Sequence, residues 1–140
     1  MKDNKIKKVL IANRGEIALR IKRACNKLGI ETVFIASEPD AQSLFARSAE
    51  KLVLIGPAPA KDSYLAIDKI IKAALDNKCD AIHPGYGFLS ENADFAQAVV
   101  DAGLNFIGPN PECIRVLGSK TEARKKVTAR KVPVTPGTAG

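Results

Sequence analysis

The chain has 140 residues and a mass of 15.0 kDa, and its net charge is +7 because 22 lysines and arginines outnumber 15 aspartates and glutamates. A globular chain of this length buries about two thirds of its unfolded surface, so it needs no disulfide or metal to be stable. Its apolar runs are far shorter than the roughly 20 residues of a membrane-spanning helix, and the N-terminus lacks the apolar segment of a secretory signal. We therefore expect a cytoplasmic protein that does not contact a membrane.

The few metal-ligating and redox-active residues are widely spaced. The sequence contains three cysteines, Cys25, Cys79 and Cys113, and one histidine, with no Cys-x-x-Cys pair. An odd, scattered set of cysteines fits neither a disulfide framework nor a zinc site. We expect no metal site built from this chain alone.

The positive charge lies at the two ends of the chain. Residues 1–27 carry a net +7, residues 28–114 a net −6 and residues 115–140 a net +6. Nucleic-acid binding requires a continuous basic surface with groups that reach or stack on bases, and hardly any aromatic residue accompanies these basic ends. Solvated helix faces are the favoured interpretation, and nucleic acid is not an expected partner.

Short β-branched runs alternate with helical patterns along most of the sequence. Continuous apolar runs of this length are typical of strands buried on both faces of a parallel sheet. The predicted strands are residues 8–12, 32–36, 51–55, 80–83 and 104–107. The regular order of strand and helix predicts a doubly wound α/β fold, with a mainly parallel sheet of about five strands and helices on both faces.

Three amphipathic helices are predicted between these strands. The first ends at Gly29, and the third begins with Ser90 as its N-cap and ends at Gly103. Their apolar faces comprise Ile17, Ile21, Ala24, Cys25 and Leu28; Tyr64, Ile67, Ile70, Ile71, Ala74 and Leu75; and Phe95, Ala96, Val99 and Val100.

Two consecutive helices follow the fifth strand. Asn110 is the predicted N-cap of the first, which ends near Gly118, and residues 119–122 form a Ser-x-x-Glu capping box for the second. We predict one domain over residues 1–132, then a Pro/Gly-rich linker over residues 133–140 that leads to a further domain.

The residues best suited to bind a ligand or to take part in catalysis follow the carboxyl ends of the strands, where open parallel sheets bind ligands. Arg14 and Glu16 follow strand one but could equally tie loops together, and the single glycine between them does not match a dinucleotide or Walker fingerprint. His83 is more typical of a hydrogen-bonded structural residue than of a base. Tyr86, between two glycines, could be a turn plug or a wall for a planar ligand.

Lys120 stands at the predicted first position of a helix. A positive side chain there opposes the helix dipole, which favours a functional role such as binding phosphate.

Read together, these segments resemble the N-terminal domain of biotin carboxylase, the ATP-dependent component of the acetyl-CoA, propionyl-CoA and pyruvate carboxylases. The most specific element is the twelve-residue stretch at positions 81–92, which reads Ala-Ile-His-Pro-Gly-Tyr-Gly-Phe-Leu-Ser-Glu-Asn. The resemblance rests on residues 11–18, 55–59, 63–65, 81–92, 106–109 and 118–120.

The resemblance implies that an ATP-grasp domain and a C-terminal domain complete the enzyme, which acts as a homodimer or within a larger carboxylase. Such enzymes use Mg-ATP to activate bicarbonate and then carboxylate biotin on a carrier protein, from which a carboxyltransferase takes the carboxyl group. By this resemblance Lys120 contacts ATP phosphate, Tyr86 and Gly87 lie beside biotin, and His83 and Glu91 shape the loop. The magnesium ligands belong to the missing domains, so the chain supplies one wall of an active site and is expected to be inactive alone.

The sequence also departs from the family pattern. Phe45 replaces a usual histidine, residues 49–51 differ from the usual Ala-Asp-Glu, Ser119 replaces an acid, and Lys131 replaces a glycine that ends the last helix. Lys131 in a left-handed conformation would cost about 1 kcal/mol. These departures leave a second hypothesis open, that of a stand-alone ligand-binding or dimerisation module without catalysis.

Overall fold

A computed structural model describes residues 5–137, and its centre is a five-stranded parallel sheet. The strands lie in the order β3-β2-β1-β4-β5, so the chain runs outward from β1 to one edge and then crosses to the other side of β1. The doubly wound α/β prediction is confirmed. The strands are β1 (Lys8–Ile11), β2 (Glu31–Ser37), β3 (Leu52–Gly56), β4 (Ala81–His83) and β5 (Asn105–Phe106).

One face of the sheet is covered by α1 (Gly15–Lys27) and α2 (Leu44–Arg47). Val9, Ile11 and Phe34 point to this side because alternate strand residues face opposite sides of a sheet. Phe45 is 3% exposed, and its ring centroid lies 6.0 Å from that of Phe34. The residue that replaces the family's usual histidine therefore packs in the core. The short α2 was not predicted.

The other face is covered by α3 (Ile67–Asp76) and α4 (Ala93–Asp101). Leu10, Val33 and Ile82 are the intervening strand residues that pack against these helices. Helices therefore lie on both faces, as predicted.

Three details of the predicted helices are wrong. Asn92, not Ser90, is the N-cap of α4, and its side-chain oxygen accepts a hydrogen bond from the Phe95 amide at 2.8 Å. Tyr64 lies before α3 and is not part of its apolar face. Four of the predicted face residues are exposed: Ala24, Leu28, Leu75 and Val100.

Among the helices of residues 5–137, four end in the same hydrogen-bonded motif with a left-handed residue just past the helix. Gly29 and Gly103 occupy that position after α1 and α4, as predicted, with φ of 68° and 76°. Lys78 occupies it after α3 with φ of 54°. The Lys78 amide donates to the Leu75 carbonyl and the Cys79 amide to the Ala74 carbonyl, which defines a Schellman motif.

The C-terminal helical pair consists of α5 (Pro111–Gly118) and α6 (Lys120–Ala129), as predicted. Asn110 caps α5, and the Ser119 hydroxyl accepts a 3.4 Å hydrogen bond from the Glu122 amide at the start of α6. Glu122 does not complete the predicted capping box, since its carboxylate pairs with Lys125. The fourth Schellman motif ends α6 at Lys131, whose φ is 59°, and thus confirms the predicted left-handed lysine.

The predicted linker over residues 133–140 extends beyond the described residues and stays a prediction. None of the helices within residues 5–137 is long and apolar enough to cross a membrane. Over the same residues, no group of three or more His, Cys, Asp and Glu side chains could hold a metal ion.

Candidate functional site

The candidate site lies where the chain direction across the sheet reverses. β1 and β4 are adjacent parallel strands whose next neighbours lie on opposite sides, so the segments that follow them diverge above the sheet. Such a switch point is the usual ligand-binding crevice of an open α/β sheet. Here it brings residues 13–16 next to residues 84–88.

Asn13 joins these two segments across the crevice. Its side-chain nitrogen Nδ2 donates hydrogen bonds to the carbonyl oxygens of Pro84, at 2.7 Å, and Tyr86, at 2.8 Å. Its oxygen Oδ1 accepts a 2.9 Å hydrogen bond from the Arg14 amide. Asn13 is 3% exposed, so a buried amide with its donors and acceptor paired fixes the path of the loop after β4.

That loop has an unusual backbone. Gly85, Gly87 and Phe88 have φ of 67°, 66° and 42°. A bulky residue such as phenylalanine rarely adopts a positive φ, and conformations of this kind persist only where surrounding contacts impose them. A Cβ atom at Gly85 would lie 2.7 Å from the side-chain nitrogen of Asn13, so position 85 requires glycine for space as well as for conformation.

Phe88 is held by a second group of side chains, which includes Tyr64 and Arg14. Its ring stacks on that of Tyr64 with a centroid distance of 5.0 Å and an interplanar angle of 16°. The Arg14 guanidinium carbon lies 5.3 Å from the Tyr64 centroid and 5.4 Å from the Phe88 centroid, within cation–π range.

Asp40 anchors this group. Its Oδ2 atom accepts hydrogen bonds from the Tyr64 hydroxyl at 2.8 Å, the Ser37 hydroxyl at 2.9 Å and Arg14 Nη1 at 3.1 Å. Burial alone raises the pKa of the Asp40 carboxyl, but these donors outweigh it and hold the pKa below its ordinary value. Asp40 is therefore ionised at neutral pH and fixes Arg14.

Tyr64 is almost completely buried between these groups. Its hydroxyl also accepts a 3.0 Å hydrogen bond from the Ser37 amide. Burial, with a smaller contribution from Asp40, raises the pKa of Tyr64 to about 12. The tyrosine is thus a neutral, structural donor.

His83 has a structural role in the turn. Its Nδ1 accepts a 3.0 Å hydrogen bond from the Gly85 amide, and burial lowers the pKa of the imidazole. The ring is therefore neutral at pH 7, with its Nδ1 lone pair used by the backbone.

A cavity of about 530 Å³ opens beside this loop, between it and the C-terminal helical pair. Tyr86, Glu91 and Lys120 all contribute to its wall, together with Cys113 and Leu117. Tyr86 is 62% exposed, which leaves its ring free to contact a ligand. The Lys120 side chain is exposed and makes no hydrogen bond or ion pair with another of the described residues, so its ammonium group can bind an anion.

The remaining predicted site residues lie on the other side of the loop. Arg14, Glu16 and Gly87 line a shallow groove of about 410 Å³, to which Tyr86 also contributes. The predicted site residues thus occupy two adjoining regions, and Tyr86 belongs to both.

Sequence reasoning missed two of the residues that organise this region. Asp40 is not among the residues singled out from the sequence, and Tyr64 is predicted to lie on a helix face. The position of Asp40 at the carboxyl edge of the sheet was the available signal. Nothing in the local sequence around Tyr64 indicates that it reaches Asp40, which is 24 residues away in the chain.

Comparison with known proteins decides which family this arrangement represents. Residues 5–114 match the family model described as "Biotin carboxylase, N-terminal domain". The chain belongs to this family. The resemblance inferred from the loops is confirmed.

Individual relatives agree with the family match. Human mitochondrial pyruvate carboxylase is 57% identical over 134 residues, which are 95% of this chain and 11% of that protein. The biotin carboxylase of Halalkalibacterium halodurans is 56% identical over 131 residues, or 94% of this chain and 29% of that protein. The chain therefore spans about a tenth to a third of the length of these relatives.

A solved structure shows the same fold. The biotin carboxylase domain of Hydrogenobacter thermophilus 2-oxoglutarate carboxylase superposes with a TM-score of 0.91 at 43% identity, over 96% of this chain and 30% of that one. That structure is a dimer in complex with MgADP, ADP and bicarbonate.

Proposed function

We propose that this chain forms the N-terminal part of a biotin carboxylase, in which it supplies one wall of the site where ATP and bicarbonate are used to carboxylate biotin on a carrier protein. The observation that carries the proposal is the cavity shared by Tyr86, Glu91 and Lys120, in a chain of this family. Its wall combines an aromatic ring, exposed glycine backbone and one free ammonium group.

Lys120 is the proposed ATP-binding residue. It follows the N-cap Ser119 as the first residue of α6, so its ammonium group and the helix N-terminus both favour an anion at the mouth of the cavity. The chemistry of this wall fits a phosphate group and does not fit the metal itself, since the cavity has one carboxylate, Glu91. Mg²⁺ would accordingly be held by ligands outside this chain.

Tyr86 and Gly87 are the proposed neighbours of biotin. The exposed Tyr86 ring can pack against the planar ureido ring of biotin, and the absence of a side chain at Gly87 lets a ligand approach the backbone. No Cβ contact limits Gly87, whereas Gly85 is packed against Asn13. His83, Arg14 and, beside the groove, Glu16 support the loop.

The other partners follow from the same proposal. The ATP-grasp and C-terminal domains of a biotin carboxylase would complete the site, and a biotin carrier and a carboxyltransferase would deliver and use the carboxyl group. Two observations support a covering partner: α6 has no buried residue, and Leu117 is 59% exposed beside the cavity. A homodimer is proposed by analogy with the Hydrogenobacter structure.

A chimera tests the proposal. In the Halalkalibacterium biotin carboxylase, this chain would replace the matching 131-residue region, and biotin-dependent ATP hydrolysis would be measured. The chimera should be active and the isolated chain inactive. A folded chimera without activity, beside an active chimera built from another family member in the same way, would overturn the proposal.

Within the chimera, Lys120→Ala removes the proposed contact with phosphate. Loss of a hydrogen bond involving a charged group costs about 1.5–3 kcal/mol, which corresponds to roughly a 10- to 150-fold fall in kcat/KM for ATP. Lys126→Ala, on the same helix but outside the cavity wall, is the matched control and should have little effect. Equal kinetics of the two variants would refute the role of Lys120.

The stand-alone binding module is the other outcome of these experiments. Isothermal titration calorimetry of the isolated chain with ATP and with biotin distinguishes this module from a part of an enzyme, because a stand-alone module must bind a ligand without further domains. Saturable binding by the chain combined with an inactive chimera would favour the module.

A further inference from the structure

Three features of the loop after β4 have no role in the proposed contacts themselves. The loop contains a phenylalanine with positive φ, a glycine with no space for a side chain, and two carbonyl groups directed at one buried amide. All three involve backbone geometry rather than ligand chemistry.

The first part of this loop is tied to the end of β1. The Ala12 amide donates to the His83 carbonyl at 2.9 Å, which extends the β1–β4 ladder up to Asn13. The carbonyl oxygens of Pro84 and Tyr86, one and three residues beyond His83, accept hydrogen bonds from the Asn13 side chain instead of from backbone. A single side chain thereby continues the strand pairing where the loop backbone has turned away from the sheet.

We propose that Asn13 is a positioning residue, which through its two donated hydrogen bonds fixes the backbone of residues 84–87 and so sets the place of Tyr86 and Gly87 at the biotin-proximal wall. The inference rests on the proposed function for the identity of the ligand, but the holding of the loop follows from the geometry of this chain alone. Asn13 itself touches no reacting atom.

The chemistry of position 13 explains why an amide is needed. One N–H₂ group must serve two carbonyl acceptors, and one oxygen must accept from the Arg14 amide. Aspartate has the same shape but no donor when ionised, serine has only one donor, and alanine has none. Asparagine meets all three requirements from the end of β1.

The position of Asn13 also explains why residue 85 of the loop must be glycine. The Asn13 side chain occupies the volume in which a Cβ of residue 85 would lie, at 2.7 Å, and Ile17 bounds the same space at 3.1 Å. The two carbonyl groups can therefore converge on one amide only where residue 85 lacks a side chain. Asn13 and Gly85 form a matched pair across the switch point.

The first experiment tests the holding of the loop and needs no catalysis. Amide hydrogen exchange of residues 83–90 would be followed in the full 140-residue chain and in its Asn13→Ala variant. Exchange of the Gly85 and Ser90 amides, which bond to His83 and Gly87, should become at least tenfold faster in the variant. Asn77→Ala is the matched control, because Asn77 also donates to a backbone carbonyl, that of Ala73, outside the residues lining the cavity and the groove.

The second experiment tests the effect on catalysis in the active chimera. A displacement of about 1 Å at a reacting group can cost 100-fold in rate. Asn13→Ala should lower kcat for biotin carboxylation at least tenfold, while the KM for ATP changes less than about twofold. Asn77→Ala in the same chimera is the control. If the kcat loss came only from a general loss of folded enzyme, an Asn77→Ala variant of equal stability would lose as much kcat as Asn13→Ala.

Asn13→Asp covers the case in which the alanine variant does not fold. The substituted side chain fills the same volume and keeps the acceptor for Arg14, but it lacks both donors. It should show the same fast exchange and the same kcat loss.

The outcomes separate the two proposals. Slow exchange at residues 83–90 in a folded Asn13 variant, or an unchanged kcat in the active chimera, overturns the positioning role. Fast exchange with an inactive wild-type chimera supports the holding of the loop by Asn13 and overturns the proposed function instead.

Discussion

Lys78 offers a quantitative test of how the helices of this fold end. Its left-handed φ of 54° closes the Schellman motif of α3, a helix whose Ile70, Ala73 and Ala74 are buried in the core. Gly29 and Gly103 fill the equivalent positions of two other helices. Lys78→Gly therefore replaces an unfavourable residue in a motif that the rest of the structure already imposes.

The expected gain is the difference between two opposing effects. A residue with a Cβ in the left-handed conformation destabilises the folded state by about 1–2 kcal/mol. Glycine, in turn, raises the conformational entropy of the unfolded chain, which lowers the free energy of unfolding by about 0.4–1 kcal/mol. Lys78 is exposed, and its side chain forms no hydrogen bond or ion pair within residues 5–137. The net gain should be about 0.5–1 kcal/mol, or about 2–3 °C in Tm for a chain of this length.

Urea unfolding followed by circular dichroism measures this difference. Lys78→Ala is the control, since it removes the lysine side chain and retains the strain, and its stability should match that of the wild type. Gly103→Lys is the reciprocal change and should destabilise by about 0.5–1 kcal/mol, because a Cβ there meets no atom within 4 Å and only the backbone strain is added. If the glycine and alanine variants of Lys78 were equally stable, the left-handed backbone at residue 78 would carry no measurable strain, and the reasoning would be refuted.

Further predictions concern buried side chains and the cavity. Tyr64→Phe should cost about 1–2 kcal/mol at pH 7, because Asp40 loses a donor and the Ser37 amide an acceptor. The folded-state pKa of Tyr64, about 12, lies above its ordinary value, so its contribution is complete below about pH 10 and lost as the pH rises through 12; urea midpoints from pH 9 to 12 should fall more steeply for the wild type than for the variant. Parallel curves would contradict the buried assignment. A thiol reagent should label the exposed Cys113 of the native chain rapidly and Cys79, which is buried with its pKa raised to about 11, only on unfolding; mass spectrometry showing equal rates would refute this.

The sequence predicted the parts of this protein that depend on local patterns. Five strands, the helices on both faces and the glycines that end α1 and α4 follow from periodicity and from the conformational freedom of glycine, which act over a few residues. The same local reasoning placed the N-cap of α4 two residues too early, because Ser90 and Asn92 are both good capping residues and the preceding turn decides between them. Lys131 was recognised because the family pattern has glycine there, whereas Lys78 had no such signal.

The candidate site was predictable as a set of residues but not as an arrangement. Loops after parallel strands share one edge of the sheet, so Arg14 and Tyr86 could be named from the sequence together with the family resemblance, and Lys120 from its place at the start of a helix. The contacts that hold them join distant positions: Asn13 bonds to residues 71 and 73 positions away, and Tyr64 reaches Asp40 across the end of β2. Only the order of strands, with β4 beside β1 and β3 beside β2, brings these groups within hydrogen-bond distance, and the tertiary structure therefore decides which motif residues can contact a ligand and which hold the loop in place.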